Sequence, residues 1–332
     1  IKAHEIQVCY ALKNSFNRVC LDHVILVRLA SSAIATHMMG GGKEEIINAV
    51  SHSWADGGAL RAYRHAPNAG PRKSWAAGDA CRRAVIHALN AMKGCVGYPS
   101  VVSAKTWGFS DVAFKGKDFE FERPFGSYVM ENILFKISFP AEFHAQTAVE
   151  CALQLHPKVA GKLDQVERIV IQTQEAGARI IDKTGPLHNY ADRDHCLQYM
   201  VAVPLVFGRL TAEDYSDAVA ADPRIDALRE KMEVSENPDF TRDYFDPEKR
   251  YIGNSVEVFF KDGSSTGKVS IDTPLGHRDR RGEGIPALLA KFEAAMAGQL
   301  PAKRVGQLLE LTGDTSRFEA TPIHRFMDLF TP

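Results

Sequence analysis

Apolar positions in roughly the first 130 residues recur at three- and four-residue intervals, the spacing that lines one face of a helix. That stride is already present over 1–12, which predicts a helix opening the chain. Residues 24–39 are the most apolar stretch and predict a buried helix, interrupted by Arg28 and His37 and ended by Gly40-Gly41-Gly42. A third helix is predicted over 43–55, with Glu44 and Glu45 in the first turn, where the helix dipole favours acids. A fourth is predicted over 79–93. Its Cys81, Ala84, Val85, Ala88, Leu89 and Met92 form one apolar stripe, and Gly94 stands at the C-terminal cap.

Beyond residue 132 the period becomes mixed. Residues 145–155 read as helix, 166–173 alternate as a strand, and 192–208 read as one continuous helix. Thr211-Ala212-Glu213-Asp214 has the form of a capping box. Runs at 255–261 and 268–273 flank Asp262-Gly263 and predict a hairpin. Helical spacing returns over 285–297, 302–312 and 322–329. The expected fold class is mostly α with an inserted α+β part. A large all-helical domain begins at 1–131, a smaller α+β lid domain occupies 132–283, and C-terminal helices at 284–332 return to the helical domain.

The composition narrows the function classes. The 332 residues are 45% hydrophobic and 24% charged, as in a globular chain long enough for two domains. A net charge of −1 lacks the basic excess that neutralises nucleic-acid phosphates. No apolar run is long enough to cross a membrane. The six cysteines are scattered without a CxxC pair, which suits free thiols in a reducing compartment and no cuboidal cluster. GxGxxG, Walker A, GxSxG and HExxH are all absent, so nucleotide binding, serine hydrolysis and zinc proteolysis have no support. The expectation is a soluble intracellular protein acting on a small molecule, with no metal, cofactor, nucleic-acid or membrane partner.

Residues 61–83 hold six Lys or Arg against one acid, among Gly, Pro and Asn. Arg forks match carboxylates and Lys supplies a point charge, so Arg64, Arg72 and Lys73 could cradle a polyanion before the helix at Asp79. A solvated basic loop, or one meeting an acidic neighbour, accounts for the same composition. His23, at the mouth of the most apolar helix, is either an acid or base facing a cleft or a core histidine satisfied by backbone. His144 follows a proline-broken approach to a helix, His195 lies in Asp192-Arg193-Asp194-His195, and His277 lies on a Gly-containing loop. Their spacings match no metal signature.

Several blocks in order (Y63-R-H-A-P-N, P71-R-K-S-W-A-A-G-D-A, P124-F-G-S-Y-V-M-E-N, F135-K-I-S-F-P-A-E-F-H, D192-R-D-H-C-L-Q-Y-M-V and D246-P-E-K-R) resemble the MmgE/PrpD family. The resemblance runs the length of the chain. It implies a helical domain with an inserted lid, a homodimer, and roughly 150 further residues upstream. The implied reaction is cluster-independent loss of water from 2-methylcitrate to give 2-methyl-cis-aconitate, a step in propionate breakdown. His23 and Lys73 then match catalytic residues. Arg64, Arg72, His144, Arg193, His195 and His277 are the expected substrate-binding residues. The resemblance leaves bacterial cytoplasm and mitochondrial matrix both open. The alternatives are a cis-aconitate decarboxylase or other lyase of the same family, and a non-catalytic binding protein on the same fold.

Overall fold

A computed structural model describes residues 1–64 and 69–331. His65, Ala66, Pro67 and Asn68 of the basic segment lie outside the described residues. The chain is mostly helical, with one four-stranded mixed sheet. It forms two compact units. One comprises Ile1–Ile133, Lys183–Met200 and Ala212–Asp226, and the other Leu134–Asp182, Val201–Thr211 and Ala227–Pro332. This division differs from boundaries at 132 and 283. It assigns 183–200 and 212–226 to the helical unit, and the helices after 281 to the unit with the sheet.

The first unit is organised by α1 (Lys2–Lys13), α2 (Val24–Met38), α3 (Lys43–Ala55) and α4 (Arg72–Met92). α2 is central and packs against the other three. It ends before Gly40, whose φ of 89° is open to glycine at no steric cost. Arg28, the charge inside the apolar run, is buried. It donates to Ser53 O at 2.7 Å, to Gly57 O and to Asp56 Oδ2 at 2.8 Å, answering the exposed carbonyls at the end of α3. Phe16, Ile25, Leu29, Trp54, Phe109 and Phe114 form the core on the α3 side.

α2 and α4 run side by side in the same direction. Val24 packs on Ala76 and Ala80, Ser31 Oγ lies 3.5 Å from Cys81 Sγ, and a Cβ added at Gly41 would fall 2.8 Å from Met92 Sδ. The buried face of α4 is Ala76, Ala80, Ala84, Ala88 and Ala91. Of the expected apolar stripe only Ala84 and Ala88 are buried, while Cys81, Val85, Leu89 and Met92 are exposed. Small side chains at four-residue spacing let the two helices close, which turns the larger apolar residues away. α4 also begins at Arg72 rather than at residue 79, so Arg72 and Lys73 occupy its first turn and not a preceding loop.

In the second unit the strands β1 (Val166–Thr173), β2 (Met232–Glu236), β3 (Asn254–Phe260) and β4 (Val269–Ile271) lie in the order β2-β1-β3-β4. β1 pairs parallel with β2 and antiparallel with β3, which pairs antiparallel with β4. The expected hairpin is present, with Gly263 at a φ of 83° in its turn. The helix Gln146–Val159 packs on β3 and β4 and buries Ala148, Val149, Ala152 and Leu155. β2 is absent from the sequence reading. Its five residues, Met-Glu-Val-Ser-Glu, alternate over only four positions and are partly exposed, a pattern too short to mark a strand.

Widening α4 at the alanine face is expected to force the helices apart. Ala84→Leu should destabilise the protein by about 1–3 kcal/mol through overpacking, read as a lower midpoint in urea unfolding, whereas Val85→Ala on the exposed side should change it little.

Candidate active site

Because α2 and α4 are parallel, their N-termini meet at one end of the unit, where both helix dipoles favour anions. At the first of them, Asp22 is fully buried. Its Oδ1 accepts from Val24 N at 3.1 Å, and its Oδ2 accepts from Arg64 Nε at 2.6 Å. Burial opposes the charge on Asp22, but the Arg64 hydrogen bond and the neighbouring His23 outweigh it and hold the carboxyl below its usual range. Burial beside Asp22 pushes the Tyr63 phenol up to about 12. Arg64 is thus a cation with a dedicated buried partner. His23 is 61% exposed, so it is not a core histidine. Its Nδ1 lies 3.4 Å from Asp22 Oδ1 and 3.5 Å from Arg61 Nη1.

At the second N-terminus, Lys73 meets a break in the chain that sequence periodicity read as continuous. The expected helix over 192–208 is two helices, Tyr190–Arg193 and Leu197–Phe207, and Asp194 and His195 occupy the turn between them. Asn189 caps the first of these and also donates through Nδ2 to Ala69 O at 3.0 Å, which anchors the break beside the start of α4. Lys73 Nζ donates to Asp194 Oδ2 at 2.6 Å and lies 2.9 Å from His195 Nδ1, which in turn is 2.8 Å from Asp194 Oδ1. One ring nitrogen cannot accept from Lys73 and donate to Asp194 at once. Only one of these two contacts of Nδ1 is therefore a hydrogen bond at a time. Burial pushes the Asp194 carboxyl up, but the hydrogen bonds and charges of His195 and Lys73 prevail and keep it below the usual carboxylate range. The arrangement can bind an anion and hold a movable proton in one place.

The other expected residues divide. Arg72 stacks over Trp75 with its guanidinium 4.3 Å from the ring centre and lies 3.6 Å from Asp79 Oδ2. It borders a cavity of about 140 Å³ lined also by Arg28, Asp56, Asp79 and Arg83; Lys73, Asp194 and His195 do not line it. Arg193 is buried with both ends of its fork used, on Tyr215 O at 2.7 Å and Asp217 Oδ1 at 2.7 Å, so it ties down the 212–226 segment. His144 belongs to the second unit. Its Nδ1 lies 2.9 Å from Glu142, and its Nε2 is 3.3 Å from the Tyr244 hydroxyl. His277, also in that unit, is 2% exposed; its Nε2 donates to Lys249 O at 2.8 Å and its Nδ1 accepts from Asp279 N at 3.2 Å. That pattern makes it a structural histidine locked as the neutral Nε2–H tautomer, where the sequence placed it at substrate. Asp22, Lys183 and Asp192 were not singled out by the sequence, although Asp192 and Asp194 stand in the same block as His195. Among the described residues, no three His, Cys, Asp or Glu side chains gather as metal ligands. No helix of the described chain is long and apolar enough to cross a membrane.

Burial lowers the pKa of His277 from 6.5 in the folded protein. Its contribution to stability is therefore complete above pH 6.5 and is lost as pH falls from there through the folded value, where only the unfolded chain takes up the proton. His277→Gln should flatten the fall in melting temperature across that acidic window, measured by thermal unfolding at a series of pH values.

Comparison with known proteins covers nearly the whole chain. The MmgE/PrpD N-terminal domain matches residues 1–122, and the MmgE/PrpD C-terminal domain matches residues 139–314. A 2-methylcitrate dehydratase of Salmonella typhimurium is 59% identical over 333 residues, covering 99% of this chain and 69% of that protein. A mitochondrial 2-methylcitrate dehydratase of Yarrowia lipolytica is 59% identical over 93% of this chain and 60% of its own length. A probable 2-methylcitrate dehydratase of Saccharomyces cerevisiae is 52% identical over 100% of this chain and 66% of its own. With both domain models matched in order and such identity along its length, the chain belongs to the MmgE/PrpD family.

Proposed function

We propose that the chain is a 2-methylcitrate dehydratase, a hydro-lyase that removes water from 2-methylcitrate to give 2-methyl-cis-aconitate. The observation that carries this reading is the 59% identity, over 99% of the chain, to a protein of that name. The cationic site fits the chemistry. Elimination breaks a C–H bond alpha to a carboxylate and a C–O bond on the neighbouring carbon, with the carbon-bound proton passing to a base and the hydroxyl taking a proton from an acid to leave as water. Negative charge grows on the carboxylate as the C–H bond breaks. Fixed positive groups that are already in place stabilise it without reorganisation. Lys73, held by Asp194 at the N-terminus of α4, is such a group. His195 on Lys73 and the exposed His23 at the start of α2 are the histidines of this unit assigned to proton transfer.

The proposal includes a homodimer, and exposed Trp75, Val85, Ile86 and Leu89 along α4 are compatible with an apolar partner surface. The test uses the full-length protein beside Lys73→Ala, with chelator present. Ultraviolet absorbance of the conjugated product should rise on adding 2-methylcitrate, with kcat about 10²–10³-fold lower in the variant. Itaconate formed from cis-aconitate, with no reaction of 2-methylcitrate, would replace the dehydratase by a decarboxylase. Inertness toward both would leave a binding protein.

A further inference from the structure

The stretch that supplies Asp194 and His195 holds a second lysine. Lys183 is 10% exposed, and its Nζ lies 3.7 Å from Asp192 Oδ1, beyond hydrogen-bond length. Among the described residues Nζ has no hydrogen-bond acceptor, and Asp192 Oδ1 has no donor. Asp192 is 1% exposed and uses its other oxygen to accept from His188 N at 3.1 Å. The lysine backbone is fixed at the helix break: Lys183 N donates to Gln198 Oε1 at 3.1 Å, and Cys196 Sγ donates to Lys183 O at 3.4 Å. These contacts to Cys196 and Gln198 set Lys183 against the segment that carries Asp194 and His195.

A desolvated ammonium with three unused N–H donors is unfavourable unless an acceptor completes it. Burial lowers the affinity of Lys183 for its proton, the direction expected of a cation waiting for its counter-ion. We infer that Lys183 is a second carboxylate-binding ammonium of the Lys73–Asp194–His195 site, one that receives a carboxylate of a tricarboxylic acid. The inference rests on the tricarboxylate reading of the site and adds to it the residue that distinguishes a polycarboxylate from a monocarboxylate. The competing role is that of a buried counter-ion for Asp192.

Binding is measured by calorimetry with tricarballylate, a tricarboxylate that has no hydroxyl to lose, alongside steady-state kinetics with 2-methylcitrate. In the full-length protein Lys183→Met should weaken tricarballylate binding about tenfold or more and raise KM more than it lowers kcat, while Lys183→Arg retains most of the affinity. Lys183→Met leaves Asp192 buried without its cation and can fail to fold. The double variant Lys183→Met, Asp192→Asn removes both charges and keeps the measurement open. Wild-type affinity and KM in either folded variant would overturn the inference and leave Lys183 a counter-ion. Tricarballylate binding that depends on Lys183, in a protein that does not dehydrate 2-methylcitrate, would overturn the reaction and leave the anchoring lysine standing.

Discussion

The site depends on how closely α2 and α4 can approach. Alanine at positions 76, 80, 84, 88 and 91 gives α4 a flat buried face, and α2 lies along it in the same direction. Parallel packing is what brings two helix N-termini to one end. Antiparallel packing would have put a C-terminus there, with its carbonyls facing any anion. The geometry of a few methyl groups therefore fixes the electrostatic sign of the end where His23, Arg72 and Lys73 stand.

Positive charge at helix N-termini opposes the dipole, and the structure offsets it with nearby carboxylates. Arg64 has Asp22, Arg72 has Asp79, Lys73 has Asp194 and Lys183 faces Asp192. These pairs are not equivalent. Asp22 lies under its arginine at 2.6 Å and also caps α2, so that pair is as much scaffold as site. Asp194 shares its lysine with an imidazole, so three ionisable groups meet within hydrogen-bond distance. The Lys183 pair is the loosest of the buried ones, at 3.7 Å.

Much of this was legible in the sequence. The helices α2 and α3, the strand over 166–173 and the Asp-Gly hairpin follow from period and turn chemistry, because each of those signals is local. The cationic segment stood out for the same reason. Three features were not legible. The stripe on α4 was misread because large apolar residues carry more weight in a periodicity than alanine, yet close helix packing selects alanine. The break at Asp194–Cys196 was hidden because Arg193, Asp194 and His195 are all tolerated inside a helix, while the turn is held by a distant residue, Lys73, on Asp194 and His195. β2 pairs with a strand some 60 residues earlier in the chain, a contact that no local pattern encodes.

The histidines show what position adds to residue type. By sequence His23 stands at the mouth of a helix and matches a catalytic residue, and His277 stands on a Gly-containing loop and matches a substrate-binding one. In the folded chain His277 has both ring nitrogens committed and 2% exposure, and His23 is 61% exposed beside a buried carboxylate and an arginine. A histidine whose two nitrogens are occupied by backbone groups cannot exchange a proton without breaking the structure that holds it. One at the open end of parallel helices can. Within the helical unit, the end where α2 and α4 begin is where imidazole and ammonium groups stand together.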